Sequence, residues 1–160
     1  MSIPSVSEYF DIMGLAQKSY GRLLTPICTE HDLTRNALDV LLFLHNNPRY
    51  DRAAEIVAYR GMTKSHVSLS VSTLESRGLL LRQFDETDRR TAHLVLTEEG
   101  LAIAKQARTA QKQFFASIYQ GIPAEELARW SEIMRTINTN IRNLDQTLTN
   151  NECDSRSPGA

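Results

Sequence analysis

Five consecutive residues, Cys28-Thr29-Glu30-His31-Asp32, put a thiol, an imidazole and two carboxylates side by side, the raw material of a metal site or an activated nucleophile. Either chemistry needs partners from elsewhere. A zinc ion requires further histidine or cysteine ligands, and His45, His66 and His93 are scattered, with no second pair at i, i+3 or i+4. A nucleophilic cysteine requires an oxyanion donor and an orienting acid, for which only Asp32 lies nearby. The expectation is therefore no metal ligand, no catalytic residue and no enzyme, with Cys28 a small buried cysteine beside a capping or solvated histidine.

A different chemistry is concentrated between residues 63 and 93. Wound as a helix after a Thr63 cap, the segment puts Val67, Val71 and Leu74 on one face and Lys64, Ser65, His66, Ser68, Leu69, Ser72 and Thr73 away from it. The outer face is small, polar and nearly free of acid, as a helix must be to enter a major groove lined by phosphates and base edges. Arg89 and Arg90 stand together in a polar stretch without helical periodicity, as a loop tip would be, and from there could reach phosphates or a flanking minor groove.

The elements that must position these residues follow from apolar spacing. Residues 9, 13, 16, 20, 24 and 27 mark a long first helix, and Ile12, Leu15 and Leu23 add a second apolar stripe that predicts packing on two neighbours. Thr34 caps a helix through Leu44 that stops at Asn46-Asn47-Pro48. Asp51 is placed to cap a short helix over 52–59, and Gly61 to make the turn into the helix capped by Thr63, which Gly78 ends. The period then changes to 2 over 79–84 and 92–97, two strands of a hairpin with a seven-residue polar connection. Thr97 with Glu98 and Glu99 starts a long helix to about Tyr119, broken by Gly121 and Pro123. A last helix carries Leu127, Trp130, Met134, Ile137, Ile141 and Leu144 at coiled-coil-like spacing. From 147 to 160 the chain is polar and is expected to be disordered.

The predicted fold is mainly α with a small β-hairpin: a winged helix-turn-helix lobe over about 34–97, within one domain spanning 1–146. The stripes at about 6–30 and 98–146 exceed what one small core needs, so these helices are expected to build a homodimer, with Tyr9, Met13, Leu127, Trp130, Met134, Ile137, Ile141 and Leu144 in its interface. A two-fold axis would also give two reading heads a spacing of about 10 base pairs.

Length and composition agree. With 160 residues, 41% hydrophobic and 23% charged, the chain is an ordinary globular domain that needs no disulfide staples. Its longest apolar run, Val40 to Leu44, is far short of the ~20 residues that span a bilayer, and no charged segment precedes an apolar one at Met1, so a soluble cytoplasmic protein without a membrane partner is expected. Two cysteines, Cys28 and Cys153, make no disulfide framework and fit a reducing compartment. A net charge of −1 argues against a non-specific nucleic-acid coat. That balance is uneven: residues 49 to 93 carry a local +2 and the remainder −3.

The stretch Asp88-Arg89-Arg90-Thr91-Ala92-His93-Leu94-Val95-Leu96-Thr97-Glu98-Glu99-Gly100 resembles the wing signature of MarR transcriptional regulators, an Asp-x-Arg followed by a strand ending in Leu-Thr-x-x-Gly. Thr63 through Val67, with Leu74-Glu75-Ser76-Arg77-Gly78-Leu79, is similar to that family's recognition helix. The resemblance covers about Tyr9 to Asp145. It implies an obligate homodimer, a pseudo-palindromic double-stranded DNA operator, Arg90 as the wing-tip arginine and Asp88 as the acid that helps fix the wing. Leu69 departs from the pattern, where a basic or polar residue is common; it could contact a thymine methyl or pack on the wing. The family's metal-sensing branch has histidines on the helix after the wing, and this chain has none there. Its peroxide-sensing branch has a cysteine near the start of the first helix, where the macrodipole lowers a thiol pKa, whereas Cys28 stands near the other end.

The function expected is a ligand-responsive repressor that contacts DNA through Thr63, Lys64, Ser65, His66, Ser68, Leu69, Thr73, Arg89 and Arg90. A small aromatic or other organic effector would bind between the dimerisation helices and the winged lobe, near Tyr20, Leu24 and Phe43, and no other cofactor is expected. The alternative is a winged-helix module that uses the same surfaces to bind protein.

Overall fold

The computed structural model describes residues 5–84 and 91–154, without the side chains of 6 and 149–154. Two units divide at residue 116. The first holds α1 (Val6–Glu30), α2 (Arg35–Asn46), α3 (Ala53–Arg60), α4 (Lys64–Ser76), β1 (Leu80–Phe84), β2 (Ala92–Leu96) and most of α5 (Glu98–Ile118). The second is built on α6 (Ala124–Asp154).

Local chemistry explains where the helices start. The hydroxyls of Thr34, Thr63 and Thr97 accept the backbone N–H of Ala37, His66 and Gly100, each at 3.2 Å, satisfying one of the donors every helix start leaves unpaired. Ser5 and Glu8 form a reciprocal capping box at the start of α1, and the bonds from Ser5 hold the Glu8 carboxyl below its usual range. α3 ends on Gly61 in the left-handed conformation (φ 64°), which lets the chain turn at once toward α4.

Asp51, expected to cap α3, does something else. The cap position is Arg52, whose backbone N–H donates to Glu55 Oε2 at 2.9 Å. Asp51 faces the hairpin: His93 Nδ1 lies 2.9 Å from its carboxylate, and its carbonyl accepts the Leu94 N–H at 2.7 Å. Those partners are some forty residues away, beyond the reach of a local capping rule.

The core centres on α2, whose Ala37, Leu38 and Val40 to Leu44 are buried. Ile56 of α3, Val67, Val71 and Leu74 of α4, Leu79, Leu80 and Leu94 of the hairpin, and Ile103, Ala104 and Ala107 of α5 close around it. The strands pair antiparallel, from Leu80 opposite Leu96 to Phe84 opposite Ala92. α1 adds only Leu24 and Ile27 from its last third to this core, while Tyr9, Phe10, Ile12, Met13 and Leu15 are exposed. Its two stripes are therefore not both covered within the first unit.

In the second unit Tyr119 meets Trp130 edge-on at 5.6 Å. Leu127 and Met134 are half-buried, and Trp130, Ile137, Ile141 and Leu144 are exposed. α6 runs to Asp154, so 147–154 are helical where disorder was expected: no proline or glycine interrupts that stretch; residues 155–160 lie outside the described residues. No helix among the described residues is long and apolar enough to cross a membrane.

Candidate nucleic-acid interface

α4 sits on the lobe as its apolar spacing requires. Val67, Val71 and Leu74 are buried, with Ser70 between them as the buried polar residue, and Lys64, Ser65, His66, Ser68, Leu69 and Ser72 are exposed. Thr73 is half-buried, and the Thr63 hydroxyl is occupied by the His66 N–H. Leu69 is 69% exposed on the outer face of α4, and residues 85–90 of the wing, on which it could pack, lie outside the described residues. The first turn has no acid, so the positive end of the macrodipole and Lys64 act together as an attractor of anions.

The hairpin lies against this helix through a residue not singled out in the sequence. Arg82 on β1 pairs with Glu75 Oε2 at 3.0 Å and donates from Nη2 to Ser72 Oγ at 3.3 Å. Strand alternation would have located it: Leu80 is buried, so Arg82, two residues on, faces the same side. Arg82, Lys64 and Ser68 line a groove of about 320 Å³ whose apolar floor includes Val57, Val71 and Leu94. Asp88, Arg89 and Arg90 lie outside the described residues.

The other candidate cluster disperses. Cys28 packs against the core, where burial pushes its thiol up and keeps it protonated. His31 Nε2 lies 2.8 Å from Gln106 Oε1, and Gln106 Nε2 donates to Glu30 Oε2 at 2.8 Å. Among the described residues no group of three or more His, Cys, Asp or Glu is placed to hold a metal ion.

A second cavity, about 600 Å³, lies among α1, the end of α3 and α5, with Phe10, Met13, Tyr20, Arg60, Phe114 and Phe115 in its walls. Of the three residues expected at an effector pocket only Tyr20 lines it; Leu24 and Phe43 are core. Tyr20 packs on Phe114 at 5.2 Å, accepts a hydrogen bond from Gln111 Nε2 at 3.1 Å, and has its phenol pushed up by burial. Asp39 bridges two arginines, Arg35 Nε and Arg60 Nη2, each at 3.0 Å.

Known proteins share this arrangement. The HTH-type transcriptional regulator PetP of Rhodobacter capsulatus is 22% identical over 111 residues, covering 69% of this chain; the match spans 66% of the relative's own length. A putative MarR family transcriptional regulator from Listeria monocytogenes, solved complexed with 26mer DNA, superposes with a TM-score of 0.77 at 15% identity, covering 89% of this chain and 93% of that one. CouR from Rhodococcus jostii, bound to p-coumaroyl-CoA, gives 0.68 at 21% identity, with 84% and 92% covered. At these identities the superpositions establish the fold, six helices and a two-stranded wing. Residues 31–91, from the end of α1 to just before β2, match the model of the MarR family.

Proposed function

We propose that this chain is a MarR-family transcriptional regulator, a homodimeric, ligand-responsive repressor that reads a pseudo-palindromic operator with one α4 from each protomer. The observation that carries this reading is the exposed, acid-poor face of α4, led by Lys64 at the helix start and held against a packed core. Ser65, His66, Ser68 and Leu69 are assigned to base edges, Thr63 and Thr73 to the margins of the contact, and Arg89 and Arg90 to phosphates or the minor groove. Asp88 is assigned to holding the wing.

The dimer reading is supported by apolar surface left uncovered in both units. Tyr9 and Met13 on α1, and Trp130, Ile137, Ile141 and Leu144 on α6, are each at least 38% exposed, and Leu127 and Met134 complete the α6 seam. The effector reading is supported by the 600 Å³ cavity, whose size suits a small organic molecule and whose aromatic walls and Arg60 suit an aromatic or other organic anion. A bound effector would shift the population of dimers whose heads have the operator spacing.

Selection of bound sites from a random duplex pool tests the reading. An inverted repeat with half-sites about 10 base pairs apart, bound by two chains, is expected. If no motif is enriched, the operator reading falls and the protein-binding module stands.

A further inference from the structure

One side chain ties the far end of α4 to the end of α1. Arg77, immediately after α4, donates from Nη1 to the Asp32 carbonyl at 2.6 Å and from Nη2 to the His31 carbonyl at 2.8 Å. These carbonyls stand at the C-terminal end of α1, where the helix dipole is negative and the last carbonyls lack helical partners. α1 has no basic residue in its own last turn. Arg77 supplies that cation from 45 residues away, and its planar fork serves two carbonyls where an ammonium acts as a point charge.

The receiving corner is itself fixed. Asp32 takes a left-handed conformation (φ 46°), so its carbonyl belongs to a tight turn and not to a continuing helix. The His31 ring meets Gln106 of α5, and Gln106 returns to Glu30 of α1. One polar chain thus joins the reading helix to α1 and α5, two of the helices that wall the larger cavity.

We propose that Arg77 is a positioning residue for DNA reading: it leaves DNA untouched and sets the angle of α4 against the corner of α1 and α5. The inference rests on α4 being the reading helix. Arg77 is solvent-exposed, and a cation there could instead bind a phosphate; the two roles differ in salt dependence and in what lysine can replace.

The test compares the full chain with Arg77→Gln and Arg77→Lys, by anisotropy on the duplex enriched from the random pool over a series of salt concentrations, and by hydrogen exchange without DNA. A positioning role predicts about tenfold weaker binding at every salt concentration (~1.4 kcal/mol) with an unchanged salt slope, little rescue by lysine, and about tenfold faster exchange at both the 27–33 and 74–79 amides. A slope reduced by about two, one for each protomer, or full affinity in Arg77→Lys, makes Arg77 a phosphate contact and overturns the proposal. Unchanged exchange at both ends overturns it as well. If the parent protein enriches no duplex, the assignment of α4 fails first, and the exchange rates alone decide whether the clamp exists. Arg77→Lys carries the same test should Arg77→Gln not fold.

Discussion

Gly100 opens α5 so close to the hairpin that a Cβ there would overlap the Leu79 backbone carbonyl. Two effects compete when it is replaced by alanine. In an open helix the change gains about 1 kcal/mol, because glycine loses more backbone entropy on folding. Here the obstacle is backbone, which cannot swing aside, so the start of α5 must move. The junction it would leave is held by three bonds: Thr97 N–H to Leu79 O at 3.2 Å, Thr97 Oγ1 to Gly78 O at 2.8 Å, and Gly100 N–H to Thr97 Oγ1 at 3.2 Å. Weakening them costs about 2 kcal/mol and overpacking about 2 more, leaving a net loss of about 3 kcal/mol once the propensity gain is included. For a chain of this length that lowers Tm by about 6–12 °C. Gly21→Ala is the control of opposite sign: its Cβ would meet only the flexible end of Arg35, at 3.6 Å, so Tm should rise by about 2–4 °C. Thermal melts followed by circular dichroism measure both. A Gly100→Ala melt at or above the parent's would refute the close-approach argument.

Cys28, read in a Cys153→Ser background, should be alkylated by iodoacetamide more slowly than a free thiol, with the rate profile displaced to higher pH, because burial raises its pKa. The sign for stability follows: the thiol's contribution is whole below its unfolded pKa and is lost as pH rises through the folded one, so melts should fall on the alkaline side more in this background than in Cys28→Ala. Lys64→Ala is expected to weaken binding to all duplexes alike and to reduce the salt slope by about two, one for each protomer; an unchanged slope would remove Lys64 from the phosphate contacts. Leu38→Ala, at the fully buried centre of α2, should cost about 2–5 kcal/mol in denaturant unfolding, and a cost under about 1 kcal/mol would mean α2 is not the centre of the core.

What the sequence made legible was set by the range of the interaction. Thr34, Thr63 and Thr97 were readable as caps because each hydroxyl bonds an amide three residues on. The hairpin was readable because its period of 2 interrupts a period of 3.6, and the outer face of α4 because Val67, Val71 and Leu74 orient it. The roles of Asp51, Arg77 and Arg82 are not legible locally. Asp51 and Arg77 bond to partners more than forty residues away, which no local pattern encodes, and Arg82 reaches from strand to helix across a turn. The end of α6 differs for another reason: the polarity of 147–154 predicts disorder, whereas a polar stretch without a breaker can extend an existing helix at small cost per residue.

Three arginines, Arg60, Arg77 and Arg82, alter what the local charge of +2 means. Counting charges treats every cation between 49 and 93 as available to DNA, yet Arg60 is held by Asp39, Arg82 by Glu75 and Arg77 by two carbonyls. These arginines join elements of the lobe, and each would have to leave a partner to meet a phosphate. On the described part of the reading surface, Lys64 and the start of α4 carry the attraction. A protein so built should show a shallower salt dependence than its arginine count suggests, and should gain proportionally more of its affinity from base contacts and from the fit of two heads on one duplex. Glu75→Gln separates these views: releasing Arg82 should steepen the salt slope, and a slope unchanged by that substitution would mean Arg82 lies too far from the duplex to matter.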